Sequence, residues 1–299
     1  MNFSIATTLD EALAAVAAGA QPVAGGSDLV VGARQGKKPL PDSVVAIDRI
    51  ESLGHIEVSS DGVRIGALVT HAKLEIDTTI VDRYTALADA SALVGSPSTR
   101  NVGTLGGNVM NASPAMDTGA PLVVLGAEVE LQTNTGSRRI PITDLWTAPG
   151  STSAEPGELC VAIHLPARPP SSGSAYVRLE YRRAMEIAVV GAAASVELDS
   201  DGAIKGVSIA LTAVAPTIIA VSGTDVLLGR QADDSALAEV ATLASDQAVP
   251  ISDLRASDAY RRHCVGVMAR RAVDAAVRRA RGESIAVPVN RSLGIGAAS

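Results

Sequence analysis

Apolar positions recur with two different spacings along this chain, and the spacing changes from segment to segment. Leu13, Val16 and Ala17 share one face of a run over residues 11–18, which Thr8 or Asp10 can cap and Gly19 can stop, so a helix is predicted there. Residues 21–24 read as a short strand that ends in Gly25-Gly26, and 44–48 and 63–67 read as buried strands. Helical spacing returns over 71–81 and 84–94, and 122–132 reads as a helix end, a turn and a strand. Small and polar residues then dominate 147–158 and 168–174, the composition of long surface loops or a linker.

The second half opens with three strand candidates, 175–181, 188–198 and 204–211, the last two joined by the hairpin signal Asp199-Ser200-Asp201-Gly202. Helices are predicted over 225–228, 236–245 and 258–281. In the last, Val265, Met268, Ala272, Val273, Ala276 and Val277 keep helical spacing while Arg261, Arg262, Arg270, Arg271, Arg278, Arg279 and Arg281 fill the other face. An acidic-partner or membrane-surface site is one reading; an amphipathic core helix with a solvated arginine face is favoured, because the helix lacks the Trp and Phe of interfacial helices.

Composition narrows the function. Of 299 residues only six are aromatic, and 25 basic against 32 acidic residues give a net charge of −7. Both facts count against nucleic-acid binding, which needs stacking rings and cationic grooves. Cys160 and Cys264 are the only cysteines and no CxxC joins them, and the four histidines show no HxxxH or HExxH spacing, so neither a metal site nor a disulfide framework is expected. No signal peptide or membrane-spanning segment is read, which makes cytoplasmic residence the expectation.

Two glycine clusters carry the candidate chemistry. The first, Val23-Ala24-Gly25-Gly26-Ser27-Asp28, runs from a strand end into a turn. The second, Gly103-Thr104-Leu105-Gly106-Gly107-Asn108, continues through Asn111, Ser113 and Asp117. Glycines can expose consecutive backbone N–H groups as an anion nest, and the flanking hydroxyls and amides suit diphosphate and polyol oxygens. Neither cluster is a GxxxxGK[ST] or GxGxxG motif; the stretch from Gly32 to Lys38 fails the first spacing. On composition alone a plain tight turn competes with a diphosphate site at each cluster.

These two motifs, with Ile65-Gly66-Ala67 before Thr70-His71, Glu158-Leu159 before Leu165-Pro166, the block Arg182 to Ala188, and Tyr260-Arg261, resemble the FAD-binding subunit of molybdenum hydroxylases. That family includes the medium subunits of carbon monoxide, xanthine and aldehyde-type dehydrogenases. The resemblance implies an α+β fold. A PCMH/vanillyl-alcohol-oxidase-type FAD-binding domain over 1–170, of two α/β subdomains (about 1–55 and 56–170), would precede a C-terminal domain over 171–285 with a three-stranded antiparallel sheet and helices, and then a tail, 286–299. It implies that Val23 to Asp28 and Thr104 to Asn108 hold the FAD diphosphate through backbone N–H groups and the Ser27 and Thr104 hydroxyls. Asn108, Ser113 and Asp117 would face the ribityl chain and flavin edge. Leu159, or its neighbour Cys160, and Arg178 match positions near the isoalloxazine ring, where a positive Arg178 would favour an anionic reduced flavin; the competing reading of Arg178 is an ordinary surface charge on a strand. His71 reads as a helix-start residue satisfied locally, with no role as a base. Tyr176 and Tyr181 are the aromatics best placed to cover the ring.

The implied function is an electron relay with no catalytic side chain. FAD would be held here, with the molybdenum cofactor on a large partner subunit and 2Fe-2S clusters on a small one. Electrons would pass to NAD+ or another acceptor, in a dimer of heterotrimers. A stand-alone FAD-dependent oxidoreductase and a non-catalytic diphosphate-binding module are the alternatives.

Overall fold

The structure, a computed structural model, describes residues 2–36, 39–182 and 184–295. Lys38 of the rejected phosphate-loop match, Arg183 of the paired-arginine block, and residues 296–299 of the expected tail lie outside the described residues.

In chain order, β1 (Asn2–Ile5), α1 (Leu9–Ala17), β2 (Gln21–Val23), α2 (Ser27–Arg34) and β3 (Ser43–Ala46) precede β4 (Ile56–Ser59) and β5 (Gly62–Gly66). The middle is helical: α3 (His71–Leu74), α4 (Thr78–Arg83), α5 (Thr85–Leu93), α6 (Pro97–Val102), α7 (Leu105–Met110) and α8 (Gly119–Val124). Five strands follow: β6 (Glu128–Thr133), β7 (Gly136–Pro141), β8 (Trp146–Ala148), β9 (Ser151–Thr152) and β10 (Leu159–Pro166). The chain continues through β11 (Ser172–Leu179), β12 (Val190–Leu198), β13 (Ile204–Thr212) and β14 (Ile219–Ala220). It ends in α9 (Asp234–Gln247), α10 (Asp258–Ala280) and α11 (Val289–Ser292).

Two compact units form. Unit 1 takes its described residues from Met1–Lys73, Pro97–Ala112 and Ala127–Ala167, and unit 2 from Leu74–Ser96, Ser113–Gly126 and Arg168–Ser299. Residues 74–96 and 113–126, inside the stretch expected to be the first domain, thus pack within unit 2.

Unit 1 holds a parallel sheet of order β1-β3-β2 and an antiparallel sheet of order β4-β5-β10-β6-β7. The Thr8 hydroxyl accepts the Glu11 N–H, and Glu11 reaches back to the Thr8 N–H, so a capping box starts α1 one turn before its apolar face begins. That face, Ala12, Leu13 and Val16, joins Val45, Ile47, Leu53, Leu68, Leu159 and Val161 in one core. The predicted helix over 71–81 is two helices instead: the Asp77 carboxylate accepts the Ile80 N–H at 3.2 Å and starts α4 afresh. The loop predicted over 147–158 contains the small hairpin β8-β9.

Unit 2 is built on an antiparallel sheet of order β11-β12-β13-β14. The three expected strands form, and the two-residue β14 lengthens the sheet by one. The alternate-face rule gives way on β12, where Val190, Ala192, Ala194 and Val196 are buried and so are Ala193 and Ser195. Both faces are covered: α10 packs on β11 and β12, and α5 and α8 also pack on strands of this sheet. The arginine face of α10 is only partly solvated. Arg261 is buried, donating to the Ala213 carbonyl at 3.1 Å and to Asp253 at 2.7 Å. Arg279 lies on the buried Asp89 carboxylate at 2.6 and 3.0 Å. The helical pattern could not separate these two cations from their solvated neighbours.

Candidate functional site

In unit 1, β2 ends at Val23 and the chain enters α2 through Ala24-Gly25-Gly26. Gly26 has φ +65° and caps α2 without a side-chain hydrogen bond, so the first helical N–H groups have no intrahelical acceptor. Among the described residues, no protein acceptor takes the N–H groups of residues 25–28. The Ser27 hydroxyl adds a donor beside them. Together with the positive end of the helix dipole this is anion-binding geometry.

The second cluster behaves differently. The Thr104 hydroxyl accepts the Gly107 N–H at 3.1 Å and starts α7. Gly103 donates to Thr99, Leu105 to Val69, Gly106 to Ala67 and Asn108 to Thr104, at 2.7, 2.9, 2.9 and 3.0 Å. The expected row of free N–H groups over 104–108 is therefore corrected: the protein engages all of them except that of Thr104. What the glycines provide is close approach. A Cβ on Gly25 would lie 1.8 Å from the Val102 carbonyl oxygen, and one on Gly106 would lie 2.6 Å from the Ala67 Cβ. Backbone packs on backbone, and residues 23–28, 67–71 and 102–107 form one cradle. The carbonyls of Ala67 and Val69 hold the second loop; the sequence singles out Ala67 only as the end of the Ile65-Gly66-Ala67 motif, with no role, and does not point to Val69.

His71 lies against this cradle. Its N–H donates to the Gly103 carbonyl at 3.1 Å, and its side chain is buried with Nδ1 lacking a hydrogen-bond partner. The expectation of a locally satisfied residue is corrected. Burial, and then the charge of Arg100, push the imidazole down to about 4, so it is neutral at pH 7. Asp28 remains exposed at the residue level, although partial enclosure pushes its carboxyl up. Leu159 lies on β10 inside the hydrophobic core of this unit. Burial, and then the charge of Glu130, push the adjacent Cys160 thiol up to about 12, which leaves it an unreactive hydrophobe. Gly107 is exposed, and Asn108 and Asn111 are half-buried.

Ser113, Asp117 and Arg178 belong to unit 2. The Ser113 hydroxyl accepts the Ala115 N–H at 3.3 Å. Arg178 is fully buried, so the reading of it as a surface charge is overturned. Its Nη1 donates to Asp117 at 2.7 Å and its Nε to Glu180 at 2.6 Å. Burial alone would lower its proton affinity; the two carboxylates outweigh that and hold it charged. One guanidinium facing two carboxylates supplies no surplus positive charge, which removes the simple Coulomb argument for an anionic reduced flavin. Its Nη2, which carries two N–H donors, is buried with no partner. The Tyr176 hydroxyl donates to Asp117 at 2.9 Å from a fully buried ring. Tyr181 is exposed and donates to the Arg255 carbonyl at 2.6 Å.

Residues 1–168 match the FAD binding domain in molybdopterin dehydrogenase, and residues 175–276 match the CO dehydrogenase flavoprotein C-terminal domain. The chain belongs to this family. It is 35% identical to the carbon monoxide dehydrogenase medium chain of Afipia carboxidovorans, over 88% of this chain and 90% of that protein. It is 30% identical to the xanthine dehydrogenase FAD-binding subunit of Escherichia coli O157:H7, over 94% and 98%. The crystal structure of the Cu,Mo-CO dehydrogenase in its cyanide-inactivated form contains a chain that superposes with a TM-score of 0.88 at 31% identity, covering 93% of this chain and 98% of that one.

The cofactor of this family member is FAD, and the residues present fit it: the cradle offers open N–H groups and hydroxyls, and it is packed so closely that a single added Cβ would break it. The chain is an FAD-binding medium subunit of the molybdenum hydroxylase type, a component of an oxidoreductase. Among the described residues, no group of three or more His, Cys, Asp or Glu could hold a metal ion, and no helix is long and apolar enough to cross a membrane.

Proposed function

We propose that this chain is the flavin relay of a heteromeric molybdenum hydroxylase. The observation that carries the reading is the cradle: an uncapped α2 N-terminus held, through Gly25, against the turn before α7. The open N–H groups of residues 25–28 and the hydroxyls of Ser27 and Thr104 would bind the diphosphate. Asn108, Asn111 and Ser113 would meet the polyol. Within unit 2, Asp117 holds Arg178 through the 2.7 Å bond to its Nη1. The surrounding side chains bind and orient; none is required to move a proton in the reaction. Bound FAD supplies the conversion between single-electron and paired-electron transfer.

The electron donor in this proposal is a 2Fe-2S cluster on a small partner subunit, fed from a molybdenum cofactor on a large one. The acceptor is NAD+ or another oxidant, the assembly is a dimer of heterotrimers, and its compartment is the cytoplasm. The absence of a cysteine cluster supports this division, because the chain has only Cys160 and Cys264 with which to ligate iron. The test is purification of the tagged chain from its native host. A yellow complex carrying molybdenum, iron and two further subunits is expected. Yellow protein without companions would favour the stand-alone flavoenzyme, and colourless protein that fails to take up FAD would remove the flavin reading altogether.

A further inference from the structure

A buried imidazole with an unused ring nitrogen adjoins the cradle, and the relay itself gives it no task. His71 is only 1% exposed, and its backbone N–H donates to the Gly103 carbonyl. Its Cδ2 and the Ser27 Oγ lie 3.4 and 3.7 Å from the single point that a Cβ on Gly103 would occupy. The ring thus borders the turn and stands near the first hydroxyl of α2. A neutral imidazole offers one donor and one acceptor, and Nδ1 has no partner in the protein. Leaving such an atom enclosed and unpaired carries a free-energy cost, which a fully satisfied structural histidine would not incur.

We propose that His71 takes up a proton from solvent when the diphosphate binds, so that an imidazolium becomes the counter-charge of the phosphates. This rests on the reading of the cradle as the diphosphate site. The charged groups on the elements against the ring are Arg100 on α6 and Asp28, next to Ser27 on α2; on its own helix there is Lys73. Without an anion, burial and Arg100 keep the ring neutral. A unit negative charge about 7 Å away, at an effective dielectric constant of about 20, raises proton affinity roughly fiftyfold. Two phosphate charges therefore offset much of the burial penalty.

The experiment is calorimetric titration of FAD into the full-length apoprotein at pH 5.5, in buffers of different ionisation enthalpy. Uptake of more than half a proton per FAD is expected, with affinity that rises several-fold for each unit of pH lost. His71→Gln should bind FAD without proton uptake. FAD binding without uptake in the natural chain, or uptake that survives His71→Gln, overturns the assignment. Should His71→Gln fail to fold, nitrogen NMR of the natural chain decides: two protonated ring nitrogens appear on adding FAD, and a ring that stays neutral refutes the proposal. A chain that binds no FAD at all overturns the cradle itself, and the two failures are told apart by the presence or absence of binding heat.

Discussion

Gly25→Ala is the smallest change that tests the cradle. The new methyl carbon would sit 1.8 Å from the Val102 carbonyl oxygen and 2.5 Å from its carbon, both backbone atoms without a rotamer to change. Ordinary contact needs about 3.5 Å, so the two loops must separate by roughly 1.5 Å. The open N–H groups of residues 25–28 then no longer converge on one anion. A hydrogen bond to a charged group contributes about 1.5–3 kcal/mol, so losing two costs about 3–6 kcal/mol, or roughly 10²- to 10⁴-fold in FAD affinity. Gly32→Ala, on the same helix, is the control: nothing lies within 4 Å of its Cβ, and alanine favours the helix by about 1 kcal/mol. Flavin fluorescence quenching on titration into apoprotein measures both, with circular dichroism to check folding. Folded Gly25→Ala protein that binds FAD within about threefold of the natural chain would refute the reasoning.

The remaining expectations concern stability and reactivity. Asp89 accepts two hydrogen bonds from Arg279 and one each from the N–H groups of Tyr176 and Val289, so Asp89→Ala strands a buried cation and should cost about 3–5 kcal/mol in urea denaturation. In the apoprotein, the unfolded chain protonates His71 near 6.5 but the folded chain only at about 4. Stability should therefore fall by about 3 kcal/mol as pH drops from 6.5 to 4, and His71→Gln should flatten that slope. Cys160, with its thiol at about 12 and its side chain buried, should resist iodoacetamide at pH 8 until denaturant is added, as read by mass spectrometry.

Much of this architecture is legible where local chemistry decides it. The Thr8–Glu11 capping box, the Asp199–Gly202 hairpin and the run of glycines announce themselves within a few residues. The break before α4 was also legible, since Asp77 precedes two threonines as a helix cap does, but the apolar spacing across it masked the signal. β14 was not: two residues after Pro216 carry no period. Partners remote in sequence stayed hidden. Arg178 is buried because a carboxylate 61 residues earlier meets it, and no periodicity reports that. The same holds for the second glycine cluster. Its composition points to a nest, while its N–H groups are taken by carbonyls of Ala67 and Val69 that only the fold brings alongside.

The pairing of Asp89 with Arg279 also sets a schedule for synthesis. The two residues are 190 positions apart, so at about 5–20 residues per second a growing chain carries the Asp89 carboxylate for roughly 10–40 s before its partner is made. Throughout that interval α5 lacks its counter-ion, and until α10 is made β11 and β12 lack their helical cover, so unit 2 cannot close. A ribosome stalled before Arg279 would release a chain whose Asp89 is unpaired and whose β11–β12 face is uncovered, a substrate for chaperones and proteases. The last long helix, which reads as a plain amphipathic element, is the step at which the nascent protein stops needing protection.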